Sequence, residues 1–172
     1  MRKLLVLLLG LMLAVDAWAQ VPKADLKGIK SSVWLIEYSL GQDDYKEAKR
    51  YSENVVNYYE SHNYPVDKYY SVSGAYLAIS YTYLENHETA LRVFNYLLSR
   101  SDIYNYFDDK VWMLAYLSLA ESNTALGNYA VAEEYCHKLE SVVNEKFAKN
   151  KVVNFQCNNE YGYMYLSQGD YQ

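Results

Sequence analysis

Apolar positions recur along this chain at helical spacing, and the apolar stripes come in pairs. Tyr45, Ala48, Tyr51, Val55 and Tyr59 predict a helix that ends before Asn63-Tyr64-Pro65, because proline disfavours helical backbone in the residue ahead of it. Before that stripe, Trp34, Leu35 and Tyr38 predict a helix over 31–40, capped by Ser31 or Ser32 and broken by Gly41-Gln42-Asp43-Asp44. In the second pair, Leu77, Ala78, Tyr81 and Leu84 face inward on one helix, Glu85-Asn86-His87 turns, and Ala90, Leu91, Phe94, Leu97 and Leu98 face inward on the other. The third pair has Trp112, Tyr116, Leu119 and Ala120, then Tyr129, Ala132, Tyr135, Cys136 and Leu139. A fourth begins near Val152 with Tyr161, Gly162 and Tyr165, and stops at Gly169-Asp170-Tyr171-Gln172, where its second helix should start.

The turn of the third pair is the most explicit. Gly127 supplies backbone that most residues avoid, Asn128 offers a cap, and Tyr129 and Ala132 open the apolar face of the next helix. Ala48, Ala90 and Ala132 lie 42 residues apart, as do Tyr45, His87, Tyr129 and Tyr171. The expected fold is therefore all-α, a solenoid of antiparallel helix pairs with about three and a half repeats, over 31–66, 67–108, 109–150 and a truncated 151–172. A repeat helix without its partner leaves an apolar flank bare, and natural arrays close with a polar cap. The 172 residues are accordingly expected to be the front part of a longer protein.

The start of the chain has a different character. Met1-Arg2-Lys3, an apolar run over 4–15 and Ala17-Trp18-Ala19 have the charged start, apolar middle and small-x-small site of a secretory signal peptide, expected to be cleaved after Ala19. The run is shorter than the ~20 residues that span a bilayer, and no cysteine follows it to carry a lipid. A periplasmic or secreted chain follows, with 20–30 as a loose, flexible polar lead-in to the helical domain at 31–172. Without Arg2, Lys3 and Asp16, the 16 basic and 21 acidic residues become 14 and 20, a net charge of −6. Nucleic acid and anionic membrane are poor partners for such a chain, since binding to them rests on basic patches. All 21 tyrosines lie at or after Tyr38. Tyrosine combines a large ring with a hydroxyl that needs a partner, which suits seams between helices and binding surfaces alike.

The residue pattern offers little catalytic chemistry. His62, His87 and His137 fall in different units without paired spacing, so no metal site is expected. Glycine-rich phosphate loops, a Gly-x-Ser-x-Gly elbow and HExxH are missing, and no cofactor is implied. Asp43-Asp44, Asp108-Asp109 and Glu133-Glu134 sit at turns or helix starts, where the helix dipole favours acids. Cys136 and Cys157 could pair in an exported protein, but a turn near 148–150 offsets them along their helices and makes a bridge awkward; two buried thiols are the alternative.

These features resemble the tetratricopeptide repeat family, whose units carry a large residue, then leucine and a small residue, an aromatic, and later an alanine and an aromatic. Leu77-Ala78, Tyr81, Ala90 and Phe94 match best, although Gly74 replaces the large first residue. Tyr116, Leu119-Ala120 and Ala132 match in the third unit, where Asn123 and Cys136 replace the aromatics; Tyr161-Gly162 and Tyr165 match in the fourth, and Leu35-Ile36 and Ala48 in the first. The period of 42 exceeds the family's usual 34, the extra residues falling within 58–69, 100–111 and 142–153.

The resemblance implies that the first helices of successive units line a groove for a protein or peptide. The 42-residue step carries the groove positions onto Val33, Ala75, Leu117 and Asn159; Glu37, Ile79, Glu121 and Tyr163; Leu40, Thr82, Thr124 and Leu166; with Gly41, Tyr83, Ala125 and Ser167 beside them. Among these, Glu37, Ile79, Tyr83, Leu117, Glu121, Asn159 and Tyr163 form the expected partner-binding set, its carboxylates being either solvated surface charges or contacts to a basic partner side chain. The leading expectation is a non-enzymatic scaffold in the cell envelope that binds protein or peptide. The alternative is the periplasmic sensor region of a longer signalling protein, as in family members from Bacteroidetes, with a transmembrane helix and a histidine kinase or DNA-binding output downstream. A hydrolase using Glu37 or Glu121 is the third reading.

Overall fold

The structure, a computed structural model, describes residues 21–169; the leader expected at 1–19 and Tyr171 of the 42-residue series lie outside the described residues. Seven α-helices follow one another: α1 Lys23–Gly41, α2 Tyr45–Ser61, α3 Lys68–Tyr83, α4 His87–Leu98, α5 Asp109–Ala125, α6 Tyr129–Lys146 and α7 Lys151–Gln168. One 3-10 turn, Ser101–Asn105, joins α4 to α5, and no strand occurs among the described residues. None of these helices is long and apolar enough to cross a membrane.

Short polar side chains set most helix starts by accepting bonds from otherwise unpaired amides. Asp44 accepts from the Glu47 amide, Asp67 from Tyr69 and Tyr70, Asn86 from Thr89, Asp108 from Val111, and Asn150 from Val152 and Val153. Asn128 departs from its expected role: its side chain accepts no amide at the start of α6 and instead donates to Asn123 Oδ1 at 3.3 Å.

The ends of the first helices share one geometry. Asp43, Glu85, Gly127 and Gly169, spaced 42 residues apart, all have left-handed backbone, with φ of 56°, 60°, 76° and 84°. After each of the first three, the next amide reaches back five residues: Asp44 to the Ser39 carbonyl at 2.9 Å, Asn86 to Tyr81 at 2.8 Å and Asn128 to Asn123 at 2.8 Å. This is the Schellman closure, which satisfies carbonyls left over at a helix end and turns the chain back on itself. Ala48, Ala90 and Ala132, one turn into the second helix of each pair, are fully buried.

The helices form two layers. Within the first, α1 packs on α3, α3 on α5 and α5 on α7; each second helix packs on the two first-layer helices that flank it in sequence; and α2, α4 and α6 make no contact with one another. Small side chains let α3 sit at the centre. Ser71, Ser73, Gly74, Ala75, Ala78 and Ser80 are all buried, so α3 is covered on every side rather than along one stripe. A Cβ on Gly74 would lie 3.2 Å from Leu97 Cδ2, so a larger residue there would need Leu97 to shift by a few tenths of an ångström.

Tyrosine hydroxyls clip neighbouring helices together. Tyr76 on α3 donates to Glu37 on α1 at 2.9 Å, Tyr81 and Tyr70 on α3 donate to Glu53 and Glu60 on α2 at 2.9 and 3.1 Å, and Tyr59 on α2 donates to Asp67 at 2.8 Å. On α7, Tyr161 and Tyr165 donate to Glu140 and Glu133 on α6 at 3.3 and 3.1 Å.

Three features of the first pair and its neighbours differ from the sequence pattern. Helix α1 begins at Lys23 rather than near Ser31, so most of the lead-in is helical, held by the buried Ile29 and by the Tyr64 hydroxyl on Asp25 at 2.7 Å. Ser31 lies within this helix, its hydroxyl donating to the Lys27 carbonyl. Trp34 and Tyr38 are 61% and 56% exposed and stack on each other, while the buried face of α1 carries Ile29, Ile36 and Ser39. Cys136 and Cys157 are both buried and free.

The left-handed turns predict opposite responses to substitution. Gly127→Ala is expected to destabilise the fold by about 1 kcal/mol, since φ there is 76°. Glu85→Gly is expected to stabilise it by up to about 1 kcal/mol, by relieving strain at φ 60°. Urea unfolding of the two variants measures both signs.

Candidate functional site

The first-layer helices present two adjoining recesses. The first, of about 220 Å³, is lined by Glu37, Leu40 and Gly41 of α1, Asp43 and Tyr45 after it, Tyr76, Ile79 and Tyr83 of α3, Lys110 and Leu114 of α5, and Gln156 of α7. The second, of about 440 Å³, is lined by Tyr83, by Leu117 and Glu121 of α5, and by Gln156, Asn159, Glu160, Gly162, Tyr163 and Leu166 of α7. Tyr83 and Gln156 belong to both.

All seven residues of the expected partner-binding set line these recesses. Glu37 and Ile79 lie in the first, Leu117, Glu121, Asn159 and Tyr163 in the second, and Tyr83 at the junction. They differ in what they offer. Ile79 and Leu117, 2% and 7% exposed, form floor, while Asn159 and Tyr163 stand open. Glu37 is exposed and accepts the Tyr76 hydroxyl at 2.9 Å. Tyr83 stacks on Tyr45, ring centres 4.3 Å apart, and the Tyr45 hydroxyl donates to Asp43 at 2.8 Å.

Some of the wider groove assignments are corrected. Ala75, Thr82 and Thr124 are buried and unreachable from the recesses. Thr82 Oγ1 lies 3.0 Å from Ser122 Oγ, and His87 Nδ1 approaches the same hydroxyl at 3.4 Å, so this position bolts α3 to α5. Ser167 offers its carbonyl to the Tyr129 hydroxyl at 2.8 Å.

The residue that sequence reasoning missed is Glu160. It is 6% exposed, and its Oε1 has no hydrogen-bond partner. Burial first, and then the charge of Glu121, push its carboxyl up to about 7. Burial also raises the carboxyl of Glu121. Tyr83 rises to about 12, through burial and then through Glu121, Glu160 and Asp43. The signal was available: steps of 42 from Glu160 lead to Ser118 and Tyr76, both 1% exposed, so the register places a carboxyl at a buried position.

A third recess, of about 350 Å³, lies between α2, α3 and α4, lined by Val56, Leu77, Val93 and Leu97 with Glu60 and Arg92 among its polar members. None of the seven expected residues lies there. No group of three or more His, Cys, Asp or Glu among the described residues is arranged to hold a metal ion.

The buried carboxyl makes stability depend on pH in a definite direction. In the unfolded chain Glu160 ionises near 4.5, whereas in the fold it keeps its proton up to about 7. Between those values the folded state binds the extra proton, so stability falls as pH rises. The melting temperature is expected to drop between pH 5 and pH 8, and Glu160→Gln to reduce that drop by roughly 5 °C, in thermal melts of both proteins across the range. In comparison with known proteins, no family model, no curated protein and no solved structure matches the chain.

Proposed function

We propose that this chain is a non-enzymatic scaffold of tetratricopeptide type that holds a protein or peptide segment along the face shared by α1, α3, α5 and α7. One observation carries the reading: the seven residues of the expected partner-binding set, taken from the sixteen positions reached by the 42-residue step, all line two adjoining recesses that meet at Tyr83. Such a surface needs repeated, equivalent helix presentations, and the matching left-handed turns at Asp43, Glu85 and Gly127 supply them. The recesses combine apolar floor with Tyr83 and Tyr163 and with carboxylates, the mixture that anchors a peptide side chain and fixes its orientation. The acidic composition favours a segment bearing positive charge. The leader-like residues 1–19 support an envelope or exported location for the scaffold.

The test is selection from a random twelve-residue display library on the immobilised chain. Enriched peptides are expected to carry lysine or arginine beside apolar residues. Glu121→Lys and Tyr163→Ala should each weaken the recovered peptides about tenfold, with circular dichroism unchanged. Peptides that bind both variants as well as the original chain, or the lack of any enrichment, would overturn the reading.

A further inference from the structure

We infer that the recess between α3, α5 and α7 is a receptor for one organic cationic head group, an ammonium or guanidinium, with Glu160 as its inner acceptor and Glu121 as its outer one. In its peptide-borne form, the lysine or arginine of a bound segment, the inference rests on the function proposed above. A free small amine is the other source of the same chemistry.

The argument begins with an unmet demand. A buried carboxyl oxygen without a partner is costly, and native folds satisfy nearly all such atoms. Elsewhere in this molecule the half-buried carboxylates of Asp67 and Glu53 receive tyrosine hydroxyls, yet the more deeply buried Glu160 Oε1 receives nothing. None of the ion pairs among the described residues involves Glu121 or Glu160, and no basic side chain lines this recess. The other groups that sense the charge of Glu160 are Tyr83 on α3, Cys136 on α6 and Cys157 on α7, all acids whose thiol or phenol is held above its ordinary range. Every titratable neighbour is thus neutral or negative near pH 7.

The shape of the recess then selects the kind of cation. Its volume of about 440 Å³ accepts a head group with a carbon stem, and Leu117, Leu166 and the rings of Tyr83 and Tyr163 give that stem apolar walls. Lysine and arginine bury their methylenes along such walls while the charge seeks a polar partner, and tyrosine faces attract cations. Two carboxylates without a third acidic, histidine or cysteine ligand fall short of a metal site among the described residues. Asn159 and Gln156 add amide oxygens at the wall for the remaining N–H groups.

The test is carbon-13 NMR of the glutamate carboxyls in the chain, titrated at pH 7.5 with n-butylammonium, methylguanidinium and, as the neutral control, 1-butanol. The resonances of Glu160 and Glu121 are expected to shift saturably with the two cations and not with the alcohol, and Glu160→Gln to weaken the response at Glu121 at least about tenfold. Backbone amide spectra show whether the variant is folded; if it is not, Tyr163→Ala, on the recess wall, takes its place with the same expected direction. Equal shifts with 1-butanol, non-saturating shifts shared by exposed carboxyls, or no effect of the variant would overturn the inference. A second arm replaces each lysine or arginine of the display-selected peptides by norleucine. A loss of about tenfold in binding that vanishes in the Glu160→Gln protein identifies the peptide-borne source. Saturable butylammonium binding without any selected peptide leaves the receptor standing with a free amine as ligand, while the scaffold reading fails. Peptides whose norleucine forms bind equally well, together with no response to butylammonium, leave the scaffold standing and sink the receptor.

Discussion

The fold depends on a pairing of opposites at the helix seams: tyrosine hydroxyls donating to carboxylates on the neighbouring helix. A ring buried between helices brings apolar area and also a hydroxyl that must find an acceptor. In a chain with 21 tyrosines that requirement is met by carboxylates at three seams, α1–α3, α2–α3 and α6–α7. Acidic residues answer it. Glu37 receives α3 onto α1, Glu53 and Glu60 receive it onto α2, and Glu133 and Glu140 receive α7 onto α6. Because a hydroxyl and a carboxylate meet only at one rotation and one axial offset, these clips specify register where apolar stripes alone would tolerate slippage. The arrangement also gives the excess acidic charge an internal use, and it marks Glu160 as a carboxyl left outside the scheme.

Much of the all-helical architecture could be read from the chain because the 42-residue spacing of its small residues and turns recurs in the backbone. Ala48, Ala90 and Ala132 are small for one shared reason, the close approach of a second helix to its neighbours, and the structure buries all three completely. Helices start at Tyr45, His87 and Tyr129, 42 residues apart, so His87 opens its helix instead of belonging to the turn expected at 85–87. The left-handed turns were harder to see. Gly127 announces itself, but Asp43 and Glu85 hold the same conformation with side chains that ordinarily avoid it, so composition hides what the backbone repeats. The early start of α1 was not legible at all, since no polar cap marks it and its support comes from Tyr64, far along the chain.

The site was legible to the extent that equivalent positions on equivalent helices face the same way. A step of 42 kept Glu37, Ile79, Glu121 and Tyr163 on one face, and all of them reach a recess. Neighbouring positions failed because each residue along a helix turns by about 100°, enough to carry Thr82 and Thr124 from the open face into the seam. Glu160 escaped for the mirror reason: it sits one residue from Asn159 in a register that elsewhere holds buried Ser118 and Tyr76. Trp34 and Tyr38 misled because aromatic bulk suggested a core face, whereas the face that is buried carries Ile36 and Ser39 and leaves the two rings stacked in the open.

The two layers have a mechanical consequence. Since the backbones of α2, α4 and α6 do not approach one another, a change of angle between successive helix pairs is opposed little by backbone packing among the outer helices. Resistance to bending is carried by the first layer and by the diagonal contacts of each second helix with the next first helix. A change of angle between pairs therefore reshapes the recesses themselves, since each is lined by helices of more than one pair.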